Sequence, residues 1–290
     1  MADASLLNLG ELSKPATVLI EKISGAVGIL YDPTRIRREA RAKADAALIE
    51  AGAVIEIGDL ERRAMGRFVQ EQSREQANIE NITAKALPNI SDSSDPSNVD
   101  DDWLAEFFAR SRRVSNEEMQ DLWSRMLSGE ANNPGSVSKR TLDFVGLMDR
   151  SDAELFSRLC NFSATSIEEV LIFDTSDELL ANESLQYSDL AHLESIGLIQ
   201  LADGLSSFIR QGMEESFDIE VSSQILSVKI EVTEKDVRNF EFGKVMFTRT
   251  GRELRRFVKI VPPAGFYDYC IAFWQKKNYC LSSPYPRRIR

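Results

Sequence analysis

The sequence predicts an α+β protein that is mainly helical, and three observations carry that expectation. Over the first 160 residues, apolar side chains recur at i, i+3 and i+4 intervals, the period of helices with one buried face. From about residue 169 the period shortens to alternation, as strands require. The chain has 290 residues, 43% hydrophobic and 28% charged, a composition that excludes wholesale disorder and a length that suits more than one compact unit.

Taken in order, Ser13 and Pro15 open a helix in which Leu19, Ile23, Ala26, Val27 and Leu30 share a face. Gly25 and Gly28 weaken it by about 1 kcal/mol each relative to alanine. Tyr31-Asp32-Pro33 ends it, and Asp32 can cap a second helix with Pro33 at its first position. That helix begins with Arg35, Arg37, Arg38, Arg41 and Lys43. It continues through a narrow seam of Ala40, Ala44, Ala47, Ala51, Ile55 and Met65 to Gln76, which predicts pairing with another helix in the manner of a coiled coil. Gly52, Gly58 and Gly66 predict breaks or close crossings along it. Residues 1–90 thus read as an N-terminal helical region. Residues 91–102, with five aspartates, four serines and one proline, read as an acidic linker and a domain boundary.

Residues 103–165 read as a compact helical unit. Trp103, Leu104, Phe107 and Phe108 form one apolar face. Ser115 to Glu118 has the pattern of a capping box ahead of Met119, Leu122, Trp123, Met126 and Leu127, and Gly129 ends that helix. Ser138 starts a further helix around Leu142, Val145 and Met148, and Ser151 to Glu154 forms a second capping box. Val170-Leu171-Ile172-Phe173 then reads as a buried strand, and Ser188 caps a helix that Gly197 terminates. Alternating stretches follow around Ile219, Val228 and Val245, and Thr250-Gly251 opens a last basic helix. An aromatic and basic segment, 263–290, closes the chain. The order Leu190, Leu193, Ile196-Gly197-Leu198-Ile199, strands, then Thr248-x-Thr250-Gly251-x-x-Leu254 resembles winged-helix modules. The expected fold is therefore α+β, mainly helical, with a C-terminal winged-helix-like module over 166–262.

Charge and residue inventory bound the function. Residues 1–90 carry 12 Lys+Arg against 13 Asp+Glu, residues 91–243 carry 12 against 31, and residues 244–290 carry 11 against 2. Opposite blocks in one chain attract, within one molecule or between copies. No apolar run reaches the ~18 residues of a spanning helix, and the first residues lack the apolar stretch of a secretory signal. Cys160, Cys270 and Cys280 are too far apart for a CxxC zinc site, and His192 is the single histidine. Neither a metal, a cofactor nor an enzyme activity is expected.

Three candidate sites remain. The first is a surface anchor for an anionic membrane or a partner helix, made of Leu19, Ile23, Val27 and Leu30 with Arg35, Arg37, Arg38, Arg41 and Lys43. From Ala16 to Tyr31 the helix would be about 24 Å long, too short to span but able to lie in the interface. The competing account packs its apolar face on the alanine-rich helix. The second is an anion site where Ser136, Ser138, Lys139 and Arg140 meet a helix N-terminus; a capped loop that binds nothing is the alternative, and the glycine spacing of a nucleotide-hydrolysing loop is absent. The third is a basic patch of Arg252, Arg255, Arg256 and Lys259, with aromatic residues nearby that could stack on bases. The helix that would read DNA carries Asp189, Glu194 and His192 but no lysine or arginine, so it should repel a duplex.

Two stretches are similar to a bacterial family known only as domain of unknown function 2806. One is Ile23-Ser24-x-Ala26-x-Gly28-x-Leu30-Tyr31-x-Pro33 leading into Ile36-Arg37-Arg38. The other is Met119-Gln120-x-Leu122-Trp123, Leu127-x-Gly129-Glu130 and Pro134-Gly135-Ser136-x-Ser138-x-Arg140-Thr141-Leu142. The first also resembles the abortive-infection alpha family. The resemblance implies bacterial genes near mobile or phage-defence loci and brings no catalytic motif. The expected function is a non-enzymatic defence or stress protein, cytoplasmic or peripheral at the inner membrane. It would act as a sensor or adaptor by docking on an anionic membrane surface or a partner protein helix, with self-assembly into a homo-oligomer compatible with the charge blocks. The alternative is a nucleic-acid-associated regulator using the basic C-terminal region.

Overall fold

The structure is a computed structural model that describes residues 12–27, 58–164, 166–204, 206–230 and 239–282. The chain divides into two compact units, Met1–Gly146 and Leu147–Arg290.

The first unit is helical. Helix α1 (Lys14–Val27) starts where the sequence predicts, with Ser13 Oγ accepting from the Ala16 N–H at 3.3 Å. Its buried Leu19 and Ile23 face helix α3 (Asp101–Ser111) and the short 3-10 turn Pro96–Asn98. Lys22 pairs with Asp101 at 2.6 Å. Among the described residues α1 packs on α3 and this turn. Residues 28–57, which hold Leu30, Arg35, Arg37, Arg38, Arg41, Lys43 and the alanine seam, lie outside the described residues.

The long helix is α2 (Asp59–Ala86), and it runs ten residues past the expected end at Gln76. Its C-terminal half packs on α4 (Glu117–Asn132) through Ile79, Ile82 and Ala86. A polar clasp fixes the register. Asn78 donates to the Arg112 carbonyl at 2.8 Å and to Ser115 Oγ at 3.2 Å, while Gln120 donates to Asn78 Oδ1 at 3.1 Å. That clasp explains a one-residue correction at the start of α4. Ser115 is drawn to Asn78, so Asn116 caps the helix instead, accepting from the Met119 N–H at 3.0 Å.

The aromatic core of this unit follows the expectation. Trp103 stacks on Phe107 with centroids 5.1 Å apart, and Phe107 meets Trp123 edge-on at 5.1 Å. Phe108, Met126 and Leu127 are fully buried around them. The stretch 91–102, read as a linker, lies inside this unit. Asp95 Oδ1 accepts from the Ser97 N–H, Pro96 and Val99 are buried, and Asp100 caps α3 by accepting from the Trp103 N–H at 2.7 Å. Asp95 and Asp100 are thus a turn-former and a cap. Helix α5 (Lys139–Leu147) begins after Ser138, as expected.

The second unit combines helices α6 (Arg150–Cys160), α7 (Glu178–Asn182) and α8 (Tyr187–Ser195) with small antiparallel sheets. The predicted caps Ser151 and Ser188 are each displaced toward the N-terminus. Asp152 accepts from the Asp149 N–H at 3.4 Å, and Asp189 accepts from the Gln186 N–H at 2.8 Å. Strands β1 (Ile199–Leu201), β2 (Phe208–Gln211), β3 (Ser216–Val221), β4 (Gln224–Lys229), β5 (Asn239–Gly243), β6 (Val245–Phe247) and β7 (Cys280–Ser282) pair as β1-β6, β2-β5 and β3-β4-β7. Val170 to Phe173 is buried but forms only one bridge, Val170 to Ser163. Loops satisfy its backbone: Ile172 accepts from the Lys244 N–H at 2.7 Å, and the Phe173 N–H donates to Tyr269 Oη at 2.8 Å.

Helix α9 (Arg249–Arg255) is capped by Thr248, two residues before the expected Thr250. Thr248 Oγ1 accepts from the Gly251 N–H at 3.1 Å and donates to the Gly197 carbonyl at 2.7 Å. A Cβ on Gly251 would stand 2.0 Å from the Leu198 carbonyl oxygen. The Gly-Leu-Ile and Thr-x-x-Gly patterns therefore meet as one close junction. Helix α10 (Phe266–Lys276) buries Phe266, Cys270 and Trp274 at four-residue intervals.

Candidate docking surface

The structure accounts for each candidate site in turn. Leu19 and Ile23 are already buried inside the first unit, so they are not available to a membrane surface. Val27 ends α1, and the other members of that candidate lie outside the described residues. Among the described residues no helix is long and apolar enough to cross a membrane.

At the anion candidate, the anion is the protein's own. The buried Glu130 carboxylate accepts from the Gly135 N–H at 2.6 Å, the Val137 N–H at 3.0 Å and Ser136 Oγ at 3.2 Å. Trp103 Nε1 clamps the same loop through the Val137 carbonyl at 2.8 Å. Ser138 caps α5, Lys139 lies 3.5 Å from Asp100, and Arg140 is exposed on the helix. An open cleft of about 480 Å³ beside the loop presents Asp100 and Lys139, a carboxylate against a cation. Of the four candidate residues, Ser136 is thus held by Glu130, Ser138 by the α5 cap and Lys139 lies beside Asp100, while Arg140 is exposed.

The basic patch is turned inward only at Arg255, and two of its other arginines are paired. Glu169, 3% exposed at its side chain, receives Arg252 at 3.1 Å and Arg210 at 3.2 Å on one oxygen. Buried Arg255 donates to Ser163 Oγ at 3.0 Å and to the Ala164 carbonyl at 2.8 Å. Arg256 pairs with Glu168 at 3.4 Å, and Lys259 is exposed and has no such pairing among the described residues. Burial pushes the Glu169 carboxyl above the ordinary glutamate range against the pull of both arginines, and burial lowers the Arg255 guanidinium. Basic tail and acidic body thus meet within one unit. His192 Nε2 sits 2.8 Å from Asp152 Oδ1, tying α8 to α6. Among the described residues no group of three or more His, Cys, Asp or Glu could hold a metal ion.

The surface that sequence reasoning missed is the first half of α2. From Asp59 to Arg74 every residue is exposed or half-buried, including Leu60 at 72%, Met65 at 48% and Phe68 at 58%. These are not scattered. Met65, Phe68 and Gln72 continue the three-then-four spacing of Glu75, Ile79, Ile82 and Ala86, which is the face that α4 covers further along. One stripe is therefore occupied at one end and open at the other. The signal was present in the sequence, since Phe68 falls three residues after Met65, a seam position already assigned. Large apolar side chains held open on a rigid helix mark a contact surface.

No curated protein and no solved structure matches the chain. The profile of the family described as a protein of unknown function, DUF2806, matches residues 62–270, most of α2 through the middle of α10. That span holds the Glu130 loop, the aromatic core and the Thr248–Gly251 junction, and the chain belongs to the DUF2806 family.

Proposed function

We propose that the protein is a non-enzymatic adaptor that acts by docking a partner protein on the open half of α2. The observation that carries this reading is the continuation of the α4-covered stripe into Met65 and Phe68, exposed at 48% and 58%. A large aromatic side chain near the centre of a short apolar stripe is the usual anchor of a helix-mediated contact. The placement in bacterial defence or stress response rests on the similarity of Pro15 to Ala44 to the abortive-infection alpha family. Leu19 and Ile23 of the membrane arm are buried in the first unit, and of the cations of the nucleic-acid alternative Arg252 and Arg256 pair with Glu169 and Glu168 while Arg255 is buried.

The test uses the full chain in its native cell. Phe68→Asp should leave the melting temperature within a few degrees of wild type, because an exposed site costs little to change. It should also remove the protein's co-purifying partner and its cellular phenotype. A Phe68→Asp strain that keeps both overturns the proposal.

A further inference from the structure

Helix α2 carries a second regularity beside its apolar stripe. Arg67, Arg74 and Lys85 are spaced by seven and then eleven residues, two and three turns, so they line one border of the stripe. At the covered end the border is answered by α4: Lys85 Nζ lies 2.6 Å from Asp121 and 3.8 Å from Glu117. Glu117 and Asp121 are one turn apart on α4, flanking Leu122 and Met119, which are buried. At the open end Arg67 and Arg74 extend the same border, with Glu71 between them, and among the described residues no carboxylate pairs with either arginine. The occupied half of α2 is thus a template for the open half: an apolar seam, bordered by cations, that receives an amphipathic helix with acids one turn apart along its edge.

We infer that the partner of the open half is an amphipathic helix of another protein, with an apolar i, i+3, i+4 stripe bordered by acidic side chains that face Arg67 and Arg74. The inference rests on the docking reading above and deepens it by naming the chemistry of the occupant. Packing continuity supplies the apolar requirement, because ridge-and-groove spacing on α2 does not change between its halves. Charge complementarity supplies the acidic border, which selects among helices that share the same apolar stripe. A second copy of α2 is a poorer fit, because over Asp59–Arg74 it carries four arginines against Asp59, Glu61 and Glu71, and Asp59 is already paired with Arg62 and Arg63.

The probe is a helix-stapled peptide with the sequence of residues 117–132, which already fits the closed half, titrated onto the full-length protein. Its counterpart carries Glu117→Lys and Asp121→Lys. At low salt the acidic peptide should bind about tenfold more tightly than the lysine peptide, a preference that salt reduces. The Arg67→Glu/Arg74→Glu protein should lose that preference, and Phe68→Asp should lose binding of both peptides. If wild type binds both peptides equally, the acidic border is wrong while docking on the apolar stripe stands. If neither peptide binds and Phe68→Asp still keeps its cellular partner, the docking surface itself is wrong. Concentration-dependent self-association that Phe68→Asp abolishes would assign the surface to a second copy and overturn the inference.

Discussion

Gly251 and Gly66 are both helical glycines, yet their surroundings demand opposite outcomes on substitution. A Cβ at Gly251 meets the Leu198 carbonyl oxygen at 2.0 Å, a backbone atom that cannot swing aside, whereas one at Gly66 meets nothing within 4 Å. Gly251→Ala should destabilise the second unit by about 2 kcal/mol or more, since the junction must open to admit the methyl. Gly66→Ala should stabilise α2 by about 1 kcal/mol through helix propensity alone. Urea titration of both variants checks the pair, and a Gly251→Ala protein as stable as wild type would mean that the α9 junction is loose. The sequence exposed the pattern around Gly251 but not its reason. A close approach between residues more than fifty apart is a tertiary fact, invisible to spacing rules. The same holds for Ser115, whose capping role goes to Asn116 because Asn78, far upstream, competes for the hydroxyl.

At the scale of elements, Glu169 joins the turn after α6, strand β2 and helix α9 through Arg210 and Arg252. Because burial raises its carboxyl, the folded protein holds that proton more tightly than the unfolded chain does. This group's contribution therefore favours folding while it is protonated and is lost as pH rises through the raised value. Glu169→Gln stays neutral throughout. The stability of wild type minus that of Glu169→Gln should fall as pH rises above the ordinary glutamate range, measured from urea midpoints; a difference that grows with pH would mean the two arginines outweigh burial. Helix identities were legible from periodicity at α1, α3, α4, α5, α6 and α8. Strand pairing was less so. Val170 to Phe173 has the apolar content of a central strand, but its hydrogen-bond partners are loops and a tyrosine hydroxyl, which no alternation pattern encodes.

Among the described residues, part of each charge block resolves into local pairs. The acidic run at 91–102 and the basic run after 244 looked like a tether and a tail because composition alone cannot tell a capping aspartate from a solvated one. In the structure Asp95, Asp100 and Asp101 are occupied by Ser97, Trp103 and Lys22, and three arginines of the basic run face Glu168, Glu169 and Ser163. Limited digestion with a protease that cuts beside aspartate should therefore spare 91–102 under native conditions, as mass spectrometry of the fragments would read. Early cleavage there would restore the linker. The Glu130 loop sits in the stretch that resembles the family, and its chemistry is internal, so that motif marks a shared fold rather than a shared ligand.

The open half of α2 has a kinetic consequence. A sixteen-residue helix by itself is marginal in water, because its first turn fixes several torsions for a single hydrogen bond. Here that nucleus is supplied by the turns clamped under α4, and each further residue toward Asp59 only adds one rung to an existing ladder. Amide exchange should accordingly be slowest near Ile82 and quicken toward Asp59 as a gradient, not a step. A partner meeting this surface finds a helix already formed, so its encounter rate is limited by orientation rather than by a folding event.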